Sequence, residues 1–109
     1  RESGPELPTG PDPVEEQAIR ERVRVRMALV KEADYFALLG ISRDATSYEL
    51  KRAYLDLRRA FEPARLLTAA TADLHEQVTL ILEVAEEAFE ILRDPHRRER
   101  YRRAIDASP

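Results

Sequence analysis

Apolar residues recur along this chain at helical periods, and strand-like alternation appears nowhere in it. Ile19, Val23, Met27 and Val30 follow one another at spacings of 4, 4 and 3, which lines them up on one stripe. The stripe predicts a helix from Pro13 to about Ala33. Asp12 can cap it, Pro13 suits its first position, and Glu15 can reach back to the cap. Arg20, Arg22, Arg24 and Arg26 fall largely off the stripe, although their stems can still cover apolar surface.

Leu50, Ala53, Tyr54, Leu57 and Phe61 form one face of a second long helix. The capping box Thr46-Ser47-Tyr48-Glu49 opens it and Pro63 stops it. Leu74, Val78, Leu82, Ala85, Phe89 and Leu92 make the face of a third, reaching about Arg93, and Asp73-Leu74-His75-Glu76 resembles a further capping box. Two short helices flank this pair. One is capped by Asp34 and closed by Gly40; the other opens at Asp94-Pro95 and runs to about Ile105, with Tyr101 turned inward. Residues 62–72 connect the long helices, with room for a helical turn. Residues 1–12, broken by Pro5, Pro8 and Pro11, read as a linker, and 106–109 as a tail. The expected architecture is all-α: an antiparallel helical hairpin with two short flanking helices and an extra N-terminal helix at 13–33.

Composition narrows the function classes. A length of 109 residues suits one domain, and 43% hydrophobic with 36% charged residues suits a soluble globular one. The formal charge of −3 is too small to argue for nucleic acid or membrane by itself. The chain has no Cys, which excludes disulfides and thiolate metal sites. No apolar run approaches the roughly 18 residues of a membrane span. The chain opens on Arg1 in a Pro- and Gly-rich stretch, so it reads as part of a longer protein, with the cytoplasm as the default compartment.

Four motifs in order resemble the J domain of DnaJ-type co-chaperones over residues 34–105. Asp34-Tyr35-Phe36-Ala37-Leu38-Leu39-Gly40-Ile41 is similar to the family's opening DYYxxLGV, and Ser42 to Thr46 to its short turn. Glu49-Leu50-Lys51-Arg52-Ala53-Tyr54 is similar to EIKKAY. Glu87-Ala88-Phe89-Glu90-Ile91-Leu92-Arg93-Asp94-Pro95 is similar to EAYEVLSDP, and Arg97 to Tyr101 to the closing KRRxYD. The family carries His-Pro-Asp after the second helix. In this chain those positions hold Glu62, Pro63 and Ala64, so only the proline remains. The resemblance implies that the tripeptide contacts a DnaK-type chaperone and couples docking to ATP hydrolysis. Ala64 has no carboxylate for such a contact, and Glu62 offers only acceptors where an imidazole would donate. The expectation is a non-catalytic J-like protein-interaction module that does not stimulate a chaperone ATPase. Two alternatives stand beside it: a co-chaperone or regulator working through a non-standard tripeptide, and a nucleic-acid-binding helical module.

Binding candidates lie mainly on the second helix. Lys51, Arg52, Arg58 and Arg59 are the helical neighbours of Leu55, and Tyr48 lies near the same line. Either this is a solvated basic face with a stray leucine, or it is a docking surface for an acidic protein partner, a chaperone or a J protein among them. Leu66 and Leu67 either cap the hairpin end or make a new contact in place of the lost tripeptide. Leu80, Val84 and Ile91 form a second apolar flank on the third helix, for which the leading helix is the nearest cover; self-association and packing against the rest of a parent chain are the competing readings. The arginines at 93, 97, 98, 100, 102 and 103 could touch phosphates, but Asp94, Glu99 and Asp106 interleave with them. His75 and His96 are isolated, and Ser42, Ser47 and Ser108 lack a histidine arrangement. Glu83, Glu86, Glu87 and Glu90 read as a solvated helix face. No catalytic residue, metal site, cofactor or membrane contact is expected.

Overall fold

A computed structural model describes residues 12–107. The linker expected over residues 1–11 and the end of the tail, with Ser108, lie outside the described residues. Helices follow one another as α1 (Pro13–Glu32), α2 (Tyr35–Leu39), α3 (Ser47–Ala60), α4 (Pro63–Leu66), a 3-10 turn (Ala69–Leu74), α5 (His75–Leu92) and α6 (Pro95–Asp106). The described residues contain no strand. The fold is all-α, with α3 and α5 as the expected hairpin.

The start and stop signals act largely as the residues dictate. Asp12 accepts from the Val14 amide, although Glu15 does not complete a box with it. Asp34 accepts from Phe36 and Ala37, and Asp94 from His96 and Arg97. Thr46 and Glu49 make a full reciprocal capping box. Gly40 ends α2 with φ of 71°, a conformation open to glycine at little cost. Ala33 ends α1 in the same left-handed region, φ 57°, where its Cβ is strained. The box expected at Asp73 does not form: α5 is entered from the 3-10 turn with no side-chain cap at Leu74. Thr68 and Thr71 cap that turn instead, and Asp73 is held by Arg20 from α1.

The hydrophobic core is organised around α5. Val78, Ile81, Ala85 and Ala88 are fully buried, and Leu74 and Leu92 nearly so. This stripe is shifted from the expected one, because Leu82 and Phe89 are only half-buried while Ile81 and Ala88 are enclosed. The reason is that α5 is covered from more than one side. On one flank α3 brings Leu50, Tyr54 and Leu57, and the Tyr54 and Phe89 rings stack with centroids 4.5 Å apart. On another, α1 packs along α5 and buries Ile19 and Val23 in the same cluster. The cover leaves Val84 and Ile91 half-buried, while Leu80 stays 40% exposed.

Polar contacts fix where α1 lies. Arg20 donates to both Asp73 carboxylate oxygens at 3.0 Å and to the Ala70 carbonyl at 2.9 Å. Its guanidinium holds the Asp73 carboxyl below the ordinary aspartate range. Arg22 donates to the Ala60 carbonyl, and Arg22 and Arg26 both lie over the Phe61 ring. Arg26 also donates to the Leu38 carbonyl at 2.6 Å. At the other end of the domain, Tyr101 stacks on Tyr35 at 4.6 Å, donates to the Ala33 carbonyl and accepts from the Tyr35 amide. It is half-buried, as its inward placement requires.

Two stability outcomes follow from this packing. Ile19→Ala should lower the unfolding free energy by about 2–4 kcal/mol in urea titrations, the range for truncating a buried isoleucine. A change under about 0.5 kcal/mol would mean that α1 is not part of the cooperative core. Ala33→Gly should raise stability by about 1 kcal/mol in the same titration, by relieving the left-handed alanine.

Candidate functional site

Exposure separates the candidate residues into a surface set and a core set. Lys51, Arg52, Arg58 and Arg59 are all exposed on the outer side of α3. Tyr48 is 71% exposed and Leu55 37%, so an apolar group does sit at the surface among the four cations. The sequence pattern did not count Asp56, which lies on the same side. Asp56 receives Arg52 and Arg59, each at 3.4 Å, and Arg52 also reaches the Tyr48 hydroxyl at 3.3 Å. Arg58 lies over the Tyr54 ring, 5.6 Å from its centre. The face is therefore basic but partly ordered from within. These pairs are exposed, so each is worth little to the fold.

Leu66 belongs to the other set. It is 7% exposed and part of the core cluster, and Leu67 is half-buried against that cluster. The reading of Leu66 as a partner contact is thus corrected: α4 turns it under the hairpin end. Leu67 follows it, half-buried against the same cluster.

The turn after α3 presents Glu62, Pro63 and Ala64. Glu62 stands at the N-cap of α4 in extended conformation, but its side chain makes no capping bond. Pro63 takes the first helical position, where its missing amide hydrogen costs nothing. Glu62 and Ala64 are exposed, and the turn is anchored by Phe61 and Leu66, both buried, on either side. The scaffold thus holds these positions at the surface, with open space beyond the Ala64 methyl group.

A groove of about 690 Å³ runs between α3 and α5 beside this turn. Leu55, Arg58 and Arg59 line one wall, and Glu83 and Glu86 the other. Among the described residues, Arg58, Glu83 and Glu86 make no ion pair. The α6 arginines are different. Arg102 and Arg103 bind Glu99, Arg102 also binds Asp106, and Arg98 donates to the Arg43 carbonyl. Much of that cluster is spent within the domain, which weakens the phosphate-binding reading. No helix among the described residues is long and apolar enough to cross a membrane.

Residues 34–102 match the DnaJ domain family. The chain is similar to the chaperone protein DnaJ of Halothermothrix orenii, 41% identical over 68 residues, which are 62% of this chain and 16% of that protein. It is also similar to the DnaJ homolog subfamily C member 7 homolog of Schizosaccharomyces pombe, 32% identical over 88 residues, 81% of this chain and 17% of that protein. A curved DNA-binding protein of Coxiella burnetii is 35% identical over 68 residues, 62% of this chain and 20% of its own length. The chain therefore spans a fifth or less of the length of these relatives. No solved structure matches it.

Truncation should distinguish the two sets of leucines. Leu66→Ala should cost about 2–4 kcal/mol of unfolding free energy, and Leu55→Ala under about 1 kcal/mol. Equal costs in urea titrations would mean that Leu55 is a core residue and not a surface one.

Proposed function

Because the chain belongs to the DnaJ domain family, we propose that it is a non-catalytic docking module that contacts a DnaK-type chaperone without stimulating its ATPase. The observation that carries this reading is the pair of side chains at Glu62 and Ala64, exposed beside Pro63 on an otherwise intact scaffold. Family membership supports a chaperone as partner. The chemistry at the turn supports the lack of activation. A carboxylate at the third position would accept from a chaperone cation, and an imidazole at the first would donate; the Ala64 methyl group cannot accept and the Glu62 carboxylate cannot donate. Where such charge-assisted contacts are buried in a complex, each is worth roughly 2–5 kcal/mol. Their joint loss is enough to uncouple docking from nucleotide turnover.

The contact surface in this reading is the outer side of α3, with Leu55 at its centre and Lys51, Arg52, Arg58 and Arg59 around it. Positive charge there favours an acidic partner surface and speeds encounter, while Leu55 supplies the apolar contact that holds it. Tyr48 extends the same surface. A cytoplasmic setting is part of the proposal, as are the activity and partners of any longer protein that carries the module.

Single-turnover ATP hydrolysis by a purified DnaK-type chaperone should be unchanged by the chain as it stands. The double change Glu62→His with Ala64→Asp should restore stimulation, because both positions are exposed and held by buried neighbours. Stimulation by the unmodified chain would overturn the proposal. Binding measured by anisotropy of the labelled chain should fall at least roughly tenfold in Leu55→Asp at unchanged helicity.

A further inference from the structure

The charge of this domain is segregated far more than its net value suggests. Between Leu66 and Leu92 the chain has no Lys or Arg, and α5 presents Glu76, Glu83, Glu86, Glu87 and Glu90 to solvent. The α3 helix beside it presents Lys51, Arg52, Arg58 and Arg59. The two sets meet across the groove, whose α3 wall is basic and whose α5 wall is acidic. The walls do not neutralise each other: no ion pair crosses the groove among the described residues, and Arg59 turns to Asp56 on its own helix. Leu55 lines the groove half-exposed, and Leu82, half-buried, lines it from the other side.

We infer that this groove is self-complementary and that a second copy of the chain occupies it. The inference deepens the reading of α3 as a docking face by naming a partner for it. Its basis is symmetry combined with charge. Two copies can be set groove to groove about a two-fold axis running along the groove. That rotation carries the Arg58 and Arg59 wall of each copy onto the Glu83 and Glu86 wall of the other. Every charged contact between the α3 and α5 walls is then attractive, and each is made twice. A two-fold axis across the groove would set like walls together and is rejected by repulsion, so charge selects one arrangement. Leu55 and Leu82 of both copies provide the apolar seam between the walls. A single-sign face would not behave this way, because it would repel its own copy in any orientation.

The size of the face sets the strength. A helix of the length of α3 extends about 21 Å, and two helices of about 10–12 Å diameter packed about 8–10 Å apart span about 20 Å, so each copy offers on the order of 400 Å². The total of about 800 Å² lies below the range of stable specific interfaces, so the dimer is weak and concentration-dependent. Much of its stability is electrostatic and partly exposed, so salt dissolves it.

Sedimentation equilibrium on the full 109-residue chain tests this. At about 50 mM salt the mass should rise toward that of a dimer with concentration, and at about 500 mM salt the dissociation constant should rise roughly tenfold or more. Arg58→Glu with Arg59→Glu makes both walls acidic, and Glu83→Arg with Glu86→Arg makes both basic. Each double variant alone should be monomeric, and an equimolar mixture of the two should form a heterodimer. All four positions are exposed, and unchanged thermal unfolding confirms that the variants are folded. A wild-type chain that is monomeric throughout, or a mixture that fails to associate, overturns the inference. The outcome is separable from the reading of a chaperone contact. A monomeric chain that still binds the chaperone through Leu55 removes only the self-complementary groove. A chain that dimerises as described but binds no chaperone removes only that contact.

Discussion

The structure depends on α5 having more than one apolar side. A helix in a two-helix hairpin needs a single apolar stripe and can leave the opposite flank to water. Here Val78, Ile81, Ala85 and Ala88 are completely enclosed, which one neighbour cannot do for all four. Ala85 and Ala88 are small and Ile81 is large, and all three are wholly buried among the neighbouring helices. Once α5 carries this much apolar surface, α1 is part of the domain and not an appendage, because Ile19 and Val23 close the same cluster.

Charge and packing then divide the work on α1. Burial of its apolar stripe is non-directional and would tolerate sliding along α5. The arginines remove that freedom. Arg20 reads Asp73 and the Ala70 carbonyl together, and Arg26 reads the Leu38 carbonyl about a turn and a half further along. Contacts at both places can be made in only one register. Several of these partners lie in the connector and at the end of α3, the segments that frame the exposed turn at Glu62. The extra helix thus holds the base of that turn while leaving its side chains free.

The residues that reveal the fold in the sequence are those whose partners are near in the chain. Caps at Asp12, Asp34, Thr46 and Asp94 act within three residues, and the stripes on α1 and α3 are set by local period alone. Asp73 was misleading because its partner is 53 residues away: a local box and a distant arginine compete for one carboxylate, and only the fold shows which wins. Ile81 escapes the sequence pattern for a related reason. A single-stripe reading of α5 leaves out residues buried by further neighbouring helices. At the candidate site, the cations around Leu55 are legible from i±3 and i±4 spacing. The burial of Leu66 is not, since a leucine in a short connector has no period to reveal its direction. Asp56 has the right spacing to be seen and simply carries the opposite sign.

Scaffold and switch are separable in this domain for a physical reason. The turn at Glu62 to Ala64 is bracketed by Phe61 and Leu66, whose burial fixes the path of the backbone without help from the residues between them. Pro63 fixes one more backbone angle and suits the start of α4. Nothing in the core therefore depends on which side chains stand at Glu62 and Ala64. Most of the charges on α3 and α5 likewise sit on exposed faces outside the core. The side chains at the turn and those on the flank can therefore vary independently, since the two sets are linked only through helices whose core lies elsewhere.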